Sequence, residues 1–387
     1  MTAKKILIVG GGIAGLTLAV LAGRRGCAVT VLESMAQFND GGYVIGVWKN
    51  GCTVLWDMGL GEQVESTGRQ SAYQLLSDEK GRELKRTDLS RLASKHGSAV
   101  RFMTRGTLHK ILQNALSDTT SIHFNRSVAE LRPDHNHVVV RDTAGEEDTF
   151  DIVVGSDGIH STTRKLLFHH DAVLRHNAVF YYGAAVCKDW NKPLLGDVEM
   201  LGRGAFLGVY PVSDDECGFY AALYPGGQFL SEPAESVLRR EFADFGWQAP
   251  ALLRDLRPPI FGDWIQETAP SQWSRGRCVL IGDAAHALLP TTGQGISLAL
   301  EDAFLLDQTL AQTSNDHDAL ARAWAAFEQR RRVRIEPIRR RSRRINFINR
   351  LATRNNPLFC RFRNALVRMS LGSAKERRLD KFFSRNV

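Results

Sequence analysis

Short apolar runs and helically spaced apolar residues alternate along much of this chain. Four continuous runs predict buried strands, and each stops at a glycine or an acidic residue. They lie at residues 6–9, 28–32, 150–154 and 278–281. Apolar residues three and four apart at 16–23 and 296–310 predict amphipathic helices. This alternation of strand and helix predicts an α/β fold.

Residues 172–270 have a different pattern. They are rich in Phe, Tyr, Val and Ala without a long helical period, which is typical of an antiparallel sheet. The strands are predicted at residues 178–186, 205–212 and 218–223. An aromatic face of this sheet could roof a pocket, and Phe206, Tyr210 and Tyr220 are candidates to line it. The alternative is that these rings are ordinary core.

The remaining elements have weaker signals. Helices are predicted at residues 50–60 and 235–245, after Arg105, and after residue 319, and further strands at 74–84, 99–103, 122–124 and 138–140. The last two strands are expected at one sheet edge. Residues 41–46 are turn-rich, and Pro337 is expected to end or kink a C-terminal helix.

A glycine-rich turn, GGGIAG, joins the first predicted strand to its helix. Gly10 suits a tight turn, Gly12 the close approach of a pyrophosphate, and Gly15 the packing of the helix on the strand. The second strand ends at Glu33, which is placed to bind a ribose hydroxyl. The stretch therefore predicts a dinucleotide-binding site, and the alternative for Glu33 is a solvated charge.

A second turn, GSDGIHSTTR at residues 155–164, also follows a buried strand. Asp157 stands just after the strand, and Ser161 is expected to cap the next helix. Arg164 has two interpretations, because it could either pin this turn or face a pyrophosphate.

A third turn, GDAAHALLPTTGQG at residues 282–295, has the same beginning. Asp283 only accepts hydrogen bonds, which suits the hydroxyls of a sugar or polyol, although capping a turn is the alternative. Gly293 and Gly295 let the backbone approach a flat ligand, and the helix that follows adds partial positive charge. His286 is expected to pack structurally rather than act as a base.

Composition narrows the class of protein. The chain has 387 residues, 43% of them hydrophobic and 24% charged, as in an ordinary globular protein. Its six cysteines form no CxxC pair and no His/Cys cluster, which argues against a zinc site and a disulfide framework. We expect no bilayer-spanning run and no signal peptide, and hence a cytoplasmic location.

Positive charge is concentrated late in the chain. Residues 328–387 hold 19 Lys and Arg against 4 Asp and Glu, whereas residues 1–327 carry a net negative charge. A helical apolar stripe underlies the arginines, so a solvated helix packed by one face is the simplest interpretation. Weak membrane-surface contact through the arginines from Arg330 to Arg344 is an alternative. No aromatic platform accompanies them, so nucleic acid is not expected as a partner.

The three turns, in this order and across most of the chain, resemble those of FAD-dependent aromatic hydroxylases, the single-component flavoprotein monooxygenases of the p-hydroxybenzoate hydroxylase type. The resemblance implies a Rossmann-like FAD-binding domain, of the p-hydroxybenzoate hydroxylase/glutathione reductase type, interleaved with a mostly antiparallel β-sheet substrate domain and followed by C-terminal helices. The FAD-binding domain is expected at residues 1–72, 100–171 and 271–327, the substrate domain at 73–99 and 172–270, and a basic helical segment at 328–387.

The resemblance also implies the cofactor contacts. They are expected at Gly10, Gly12, Ala14, Gly15, Glu33, Arg105, Val128, Asp157, Asp283, Gly293, Gln294, Gly295 and Ile296. Gly12, Ala14 and Glu33 would hold the ADP half. Asp157 would lie in the turn shared with the nicotinamide cofactor, and Asp283 would bind the ribityl chain. From the residues alone, Arg105 could bind a phosphate or simply be exposed.

The activity implied is hydroxylation with NAD(P)H and O2. NAD(P)H reduces FAD, the helix near Ile296 stabilises the anionic reduced ring, and O2 then forms an electrophilic flavin C4a-hydroperoxide that attacks an electron-rich ring. No residue is singled out as catalytic. Pro290 and Thr291 complete the candidates for lining the substrate pocket.

Two departures from the urate-hydroxylating branch concern the substrate. Thr291 and Thr292 stand near that branch's acidic residue, and Phe206 stands about where it has arginine. We therefore expect an apolar aromatic or quinolone-like substrate. Residues 363–368 also resemble alkyl-quinolone hydroxylases. The alternatives are a flavin-binding protein without oxygenase activity and a peripheral membrane flavoprotein acting on a lipophilic substrate.

Overall fold

The computed structural model describes residues 4–38, 43–97, 99–190, 193–353 and 355–369. The strands are β1 (Lys5–Val9), β2 (Ala28–Glu33), β3 (Val44–Trp48), β4 (Arg69–Gln70), β5 (Tyr73–Asp78), β6 (Glu83–Asp88), β7 (Val100–Thr104), β8 (Thr120–Phe124), β9 (Val128–Pro133), β10 (Val138–Asp142), β11 (Glu147–Phe150), β12 (Ile152–Gly155), β13 (Val173–Val186), β14 (Asp197–Leu201), β15 (Ala205–Pro211), β16 (Glu216–Leu223), β17 (Leu256–Thr268), β18 (Ser274–Arg275) and β19 (Cys278–Leu280).

The helices alternate with these strands. They are α1 (Ile13–Arg24), α2 (Lys49–Asp57), α3 (Gly61–Thr67), α4 (Ser90–His96), α5 (Arg105–Asn114), α6 (Thr162–Phe168), α7 (Ala234–Glu241), α8 (Ala249–Arg254), α9 (Asp283–His286), α10 (Gly295–Gln312), α11 (His317–Leu351) and α12 (Pro357–Met369). Short 3-10 helices span Gly227–Ser231 and Pro290–Thr292. None of the described helices combines the length and the apolar character needed to cross a bilayer.

A six-stranded sheet carries the apolar runs predicted as strands. Its order is β18-β19-β12-β1-β2-β8, and every neighbouring pair except β18 with β19 is parallel. The strand residues Leu7, Val153 and Val279 are all buried, as is usual for a parallel sheet packed on both faces. The predicted α/β architecture is confirmed here.

A seven-stranded sheet follows the order β17-β13-β16-β15-β14-β5-β6. Its pairs are antiparallel except β14 with β5, which confirms the mostly antiparallel sheet. One face packs in a core with α7 and α8, where Phe219, Val209 and Leu238 are buried together. The other face is available to the site.

Two three-stranded sheets, β11-β10-β9 and β3-β7-β4, correct some of the predictions. β8 and β10 belong to different sheets, so they do not share one edge. Residues 44–46, predicted as turn, are extended in β3. A Cβ at Gly46 would lie 3.0 Å from the Phe102 ring, so glycine fits a close approach between strands at this position. In the sequence, the same glycine is one of the signals that predict a turn. The helix α4 was not predicted.

Helix α11 is longer than the sequence indicated. It runs for 35 residues with Pro337 inside it, so the expectation that Pro337 ends a helix is wrong. Pro337 is exposed, and Ile335, Ile338 and Arg339 beside it are buried against the protein, so tertiary packing outweighs the lost backbone hydrogen bond. The predicted boundary at residues 327 and 328 falls within this helix.

Candidate functional site

The three predicted turns meet at one edge of the six-stranded sheet. Val9, Gly155 and Leu280 are aligned in register at the carboxyl ends of the parallel strands β1, β12 and β19. Gly10 follows with a φ of +99°, and a Cβ there would lie 2.6 Å from the Ser156 carbonyl oxygen. Open α/β sheets bind their ligands at this edge.

The GGGIAG turn is tight at its ends and open in the middle. A Cβ at Gly15 would lie 2.1 Å from the Gly10 carbonyl oxygen, so α1 depends on glycine to pack on β1. A Cβ at Gly12 would meet only Arg105 Nη2, at 3.8 Å. Ala14 is buried and approaches Gly282 of the third turn. Space for a ligand therefore lies over Gly12, beside a guanidinium group.

Glu33 holds this turn in shape. One carboxylate oxygen accepts from the Gly11 N–H at 2.9 Å, and the other accepts from Met35 N–H at 2.8 Å. On the opposite side, buried His109 of α5 donates from Nε2 to the Gly11 carbonyl at 2.7 Å. His109 was missed in the sequence, where it is simply a histidine within an amphipathic helix.

The structure decides between the alternatives for the second turn. The Asp157 carboxylate accepts from Ser161 Oγ at 2.5 Å and from the Thr163 N–H at 2.8 Å. Ser161 accepts from the Arg164 N–H, which confirms it as the cap of α6. Arg164 is fully buried and donates to the carbonyls of Ile159, Asp171 and Ala284, so it pins the turn to the third motif.

Asp283 contrasts with Asp157. Solvent reaches its side chain, yet the surrounding protein removes enough hydration to raise the pKa of the carboxyl above its ordinary range, and His286 and Arg105 only partly oppose this. Within the described residues, no hydrogen-bond donor reaches the carboxylate. A poorly hydrated but accessible acceptor of this kind suits the hydroxyls of a bound polyol.

The loop before α10 also has open space and polar atoms without hydrogen-bond partners. A Cβ at Gly295 would meet no atom within 4 Å, and Gly293 adopts a φ of +61°. In the described part of the chain, the buried atoms Gln294 Oε1 and Thr292 Oγ1 lack a hydrogen-bond partner. Such atoms are rare in folded proteins and indicate a place for water or ligand. Ile296 follows, half-buried in the first turn of α10.

A buried network of charged side chains supports the third turn from behind. Asp302 Oδ2 accepts from the Gly282 N–H at 2.8 Å and forms a 2.5 Å hydrogen bond with His286 Nε2. Arg331 of α11 donates to Asp302 at 2.5 Å and to Glu301 at 2.6 Å. Burial opposes ionisation of Asp302, but His286 and Arg331 more than offset it and lower the pKa of this carboxyl. The expected structural role of His286 agrees with these contacts.

This network was missed in the sequence, although it leaves a signal there. Glu301 and Asp302 interrupt the apolar helix α10, and Arg331 stands four residues from Phe327 and from Ile335 on the apolar stripe of α11. All three charged side chains are buried. A charge on an otherwise apolar helix face implies a buried partner, but the pattern does not identify which residue it is.

An aromatic face of the seven-stranded sheet covers this edge. Phe180 stacks on Tyr220 at 5.4 Å and on Tyr182 at 5.2 Å between ring centroids, and Phe206 meets Tyr220 edge-on at 6.1 Å. Leu289, which precedes Gly293 and Gly295 in the third turn, packs in the same cluster. The structure therefore brings Phe206 and Tyr220 together beside the third turn, and the roof over a pocket stays a prediction.

The substrate-pocket candidates differ in their surroundings. Phe206 and Tyr220 lie on the aromatic face, and the Tyr220 hydroxyl is buried without a hydrogen-bond partner in the described structure. Tyr210 packs on Phe102 at 5.1 Å instead. The Thr291 hydroxyl donates to the Ser342 carbonyl of α11 at 3.3 Å, whereas Pro290 is half-buried in the loop.

The tyrosines of this aromatic face hold their protons at neutral pH. Burial is the main cause in each case: it raises the pKa of Tyr220 well above its usual value and that of Tyr182 to about 12. Tyr43 meets Tyr182 edge-on at 4.4 Å, and burial raises its pKa as well. These phenols can therefore donate hydrogen bonds.

Val128, which was expected to contact FAD, is fully buried at the start of β9 in the core of the six-stranded sheet.

Fold and site together define a dinucleotide-binding protein of the flavoprotein class. The residues fit FAD because open glycines, an accessible carboxylate and unpartnered polar atoms line one edge of the parallel sheet. The sequence matches the FAD binding domain family over residues 3–175 and 264–342. The chain belongs to this family and is a flavin-dependent monooxygenase of the aromatic hydroxylase type.

Individual relatives agree with this assignment. The 2-heptyl-3-hydroxy-4(1H)-quinolone synthase of Pseudomonas aeruginosa (strain UCBPP-PA14) is 30% identical, over 98% of this chain and 97% of its own length. Aurachin C monooxygenase/isomerase of Stigmatella aurantiaca is 29% identical, with coverages of 85% and 86%. The structure of Klebsiella pneumoniae HpxO complexed with FAD and uric acid is similar with a TM-score of 0.86, at 25% identity, over 98% of this chain and 96% of that one.

Proposed function

We propose that this enzyme uses NAD(P)H and O2 to hydroxylate an electron-rich, rather apolar aromatic or quinolone-like small molecule. The observation that carries the proposal is the aromatic face of Phe180, Phe206 and Tyr220, which packs with Leu289 against the third turn. A flat apolar ring held between that face and the loop would lie where FAD chemistry takes place.

The cofactor would be held along the edge of the parallel sheet. Gly12 and Arg105 would contact the pyrophosphate region, with Ala14 and Glu33 toward the ADP end. Asp283 would accept from the ribityl hydroxyls, and the residues from Gly293 to Ile296 would border the ring. When bound, FAD supplies the redox chemistry, accepting a hydride from NAD(P)H and activating O2 for transfer of one oxygen atom.

The protein's own groups would prepare this reaction in three ways. The N–H groups at the start of α10 present partial positive charge toward the loop, which would stabilise an anionic ring. The aromatic face would exclude water from the reacting atoms. The Tyr220 hydroxyl, protonated and without a partner, would donate to a carbonyl or hydroxyl oxygen of the substrate.

The proposed substrate class follows from the lining groups. The ring of Phe206 stands on the face where a charged, polar heterocycle would need a compensating side chain. The relative named for a quinolone product supports the quinolone-like alternative within this class. The division into domains, the cytoplasmic location and the role of Asp157 beside a nicotinamide cofactor remain predictions from the sequence.

A substrate-dependence assay tests the proposal. The FAD-loaded enzyme is mixed with NADH or NADPH, with or without a 2-alkyl-4-quinolone, a simple phenol or uric acid. We expect the quinolone or the phenol to accelerate NAD(P)H consumption and yield a product heavier by one oxygen atom, and uric acid to do neither. Consumption that no aromatic compound accelerates, with no oxygenated product, would identify a flavin-binding protein without oxygenase activity.

The variant Tyr220→Phe sharpens the assay. We expect it to keep its FAD and its folding but to lose about tenfold or more of the substrate acceleration, since one hydrogen bond to the substrate is removed. Tyr181→Phe is the matched control. Its hydroxyl lies on the opposite face of the seven-stranded sheet and donates to the Phe229 carbonyl, so the acceleration should be unchanged.

A further inference from the structure

Helix α12 packs on the protein through a mixed face that includes Phe359, Cys360, Arg363 and Val367. Arg363 is buried and donates to the carbonyls of Leu201 and Gly202 at 3.1 Å each, at the end of β14. Cys360, on the same side of the helix, is buried as well. An arginine that satisfies two strand-end carbonyls fixes the rotation of the helix about its axis.

That rotation leaves an apolar stripe in solvent. Leu358, Phe362, Leu366 and Met369 are 75%, 57%, 47% and 73% exposed. Their spacing of four, four and three residues places them in one row along the helix. A surface helix of a globular protein normally turns such a row toward the core, whereas α12 leaves these four side chains in solvent. Just before it, the end of α11 exposes Phe347 and Leu351 in addition.

The chain segment that carries the stripe has charged residues of one sign only. Residues 337–369 contain ten arginines and no acidic residue. Arg361 and Arg368 are exposed beside the stripe, and Arg344 and Arg350 are exposed on α11. Within the described residues, neither Arg361 nor Arg368 forms an ion pair. This surface therefore combines a row of large apolar side chains with unneutralised guanidinium groups.

The arginine run that the sequence indicated for membrane contact is largely engaged elsewhere. Arg331 and Arg339 are buried, and Arg334 pairs with Glu301 inside the protein. Arg332 and Arg343 pair with Glu328 and Glu267. The available apolar and basic groups lie further along the chain, on α12 and the end of α11.

We propose that α12 is a docking surface for an anionic lipid bilayer, into which the row from Leu358 to Met369 inserts while the arginines beside it contact lipid phosphates. An interfacial helix needs both features, an exposed apolar row and basic side chains at its border. Lipid surface is the occupant that complements both. The proposal concerns where the enzyme resides, so it is independent of the reaction proposed above.

Other occupants fit the charges less well. A second copy related by twofold symmetry would bring its own arginines against the same patch, and like charges would face each other. Residues 370–387 hold five basic and two acidic residues, so they carry the same sign as the surface. A nucleic acid would pair with the arginines but leave Leu358 and Phe362 in water.

Vesicle binding tests the proposal. The FAD-loaded full chain is sedimented with vesicles of phosphatidylcholine alone or of phosphatidylcholine mixed with phosphatidylglycerol. We expect binding to the mixed vesicles, weakening as salt is raised, and little binding to phosphatidylcholine alone. Phe362→Glu and Leu366→Glu should each bind about tenfold or more weaker. Equal binding of these variants and the wild type would overturn the proposal.

A control and two further measurements distinguish the occupants. Val333→Glu makes the same change at a residue of α11 that is 69% exposed, and should bind like the wild type. Retained flavin absorbance shows that each variant is folded. A wild-type dimer without lipid that Phe362→Glu converts to monomer would overturn the proposal in favour of a second copy. Binding by a chain lacking residues 370–387, but not by the full chain, would overturn it in favour of that segment. No measurement uses NAD(P)H or substrate, so the two proposals fail separately.

Discussion

Two aspartates near the third turn have opposite pKa shifts. Asp302 is buried but surrounded by His286 and Arg331, and its pKa is lowered. Asp283 is accessible but poorly hydrated, and its pKa is raised. A raised folded pKa means that the ionised carboxylate destabilises the folded protein at neutral pH, and that this cost disappears as the pH falls through the folded pKa. We therefore expect the ionised Asp283 to cost some stability, but less than a buried carboxylate would, because solvent reaches its side chain and screens the charge.

We predict that Asp283→Asn raises the melting temperature of the cofactor-free protein while weakening its binding of FAD. The amide removes the poorly hydrated charge but is a weaker acceptor for hydroxyl groups. Asp302→Asn is the matched comparison. It should reduce the free energy of unfolding by about 1–3 kcal/mol, and so lower the melting temperature, because Gly282 and Arg331 lose a charged acceptor. Thermal unfolding without FAD measures the melting temperature of each variant, and a flavin titration measures its affinity for FAD. Destabilisation by Asp283→Asn would contradict the argument.

At the same scale, local motifs predicted the placement of the turn residues better than their bonding. Gly15 and Ser161 do what the sequence indicated, because their roles depend on neighbours in the same turn. His109 and Arg331 could not be predicted, since their partners lie 98 and 29 or 30 residues away. Arg164 was ambiguous for the same reason, as its acceptors include a carbonyl 120 residues distant.

Helices α10 and α11 are joined by a buried cluster of charges. Arg331 bonds Glu301, Asp302 and the Leu298 carbonyl, and Arg334 also reaches Glu301. The pKa of Glu301 is lowered: its burial is offset by Arg331 and Arg334. Carboxylates with lowered folded pKa stabilise the protein above about pH 4, and this contribution is lost as the pH falls through their folded pKa. The cluster should therefore weaken only in acid.

We predict that Arg331→Met destabilises the protein by about 3–5 kcal/mol, because two buried carboxylates lose their shared guanidinium group. We also expect weaker FAD binding, since Asp302 anchors the turn that carries Asp283. Arg330→Met is the control. It removes an exposed arginine one position earlier, and neither property should change measurably. Urea unfolding and flavin titration at neutral pH make the comparison. Equal stability of the two variants would show that Arg331 does not hold α10 and α11 together through Glu301 and Asp302.

The elements themselves were predicted unevenly. Strands buried on both faces, such as β1 and β12, have continuous apolar runs that are easy to recognise. The strand β3 was mistaken for a turn because Gly46 makes room for Phe102, which belongs to another strand. Pro337 was expected to end or kink a helix, but α11 continues through it, and contacts with α10 and β17 hold the helix on both sides of the proline.

On the scale of the whole molecule, the two large sheets meet at the loop before α10. The parallel sheet brings the turns, the seven-stranded sheet brings the aromatic face, and Leu289 contacts that face. The sequence predicted both sheets but could not show how they face each other, because no local pattern encodes the contact. A ligand at this junction touches both sheets, so its binding should stabilise the molecule as a unit.

We predict that excess FAD raises the melting temperature of the wild type by several degrees, since a ligand at a hundred times its Kd contributes about 2.7 kcal/mol. Gly295→Ala should leave the melting temperature without FAD unchanged, because its Cβ meets no atom within 4 Å. It should reduce the shift caused by FAD, because the methyl group would occupy the space that we propose for the flavin ring. An undiminished shift would show that the ring binds elsewhere.

The contacts of Arg331 with Glu301 and Asp302, which join α11 to α10, also affect the order in which the site forms during synthesis. A ribosome releases the amino end first, so the turn at Gly10 and the aromatic sheet emerge well before Arg331 does. Until that arginine arrives, Glu301 and Asp302 lack their shared guanidinium group and, of its side-chain partners in the described structure, Asp302 has only His286. We therefore expect the yellow cofactor to load late in biogenesis, so nascent chains stalled before residue 331 should be colourless.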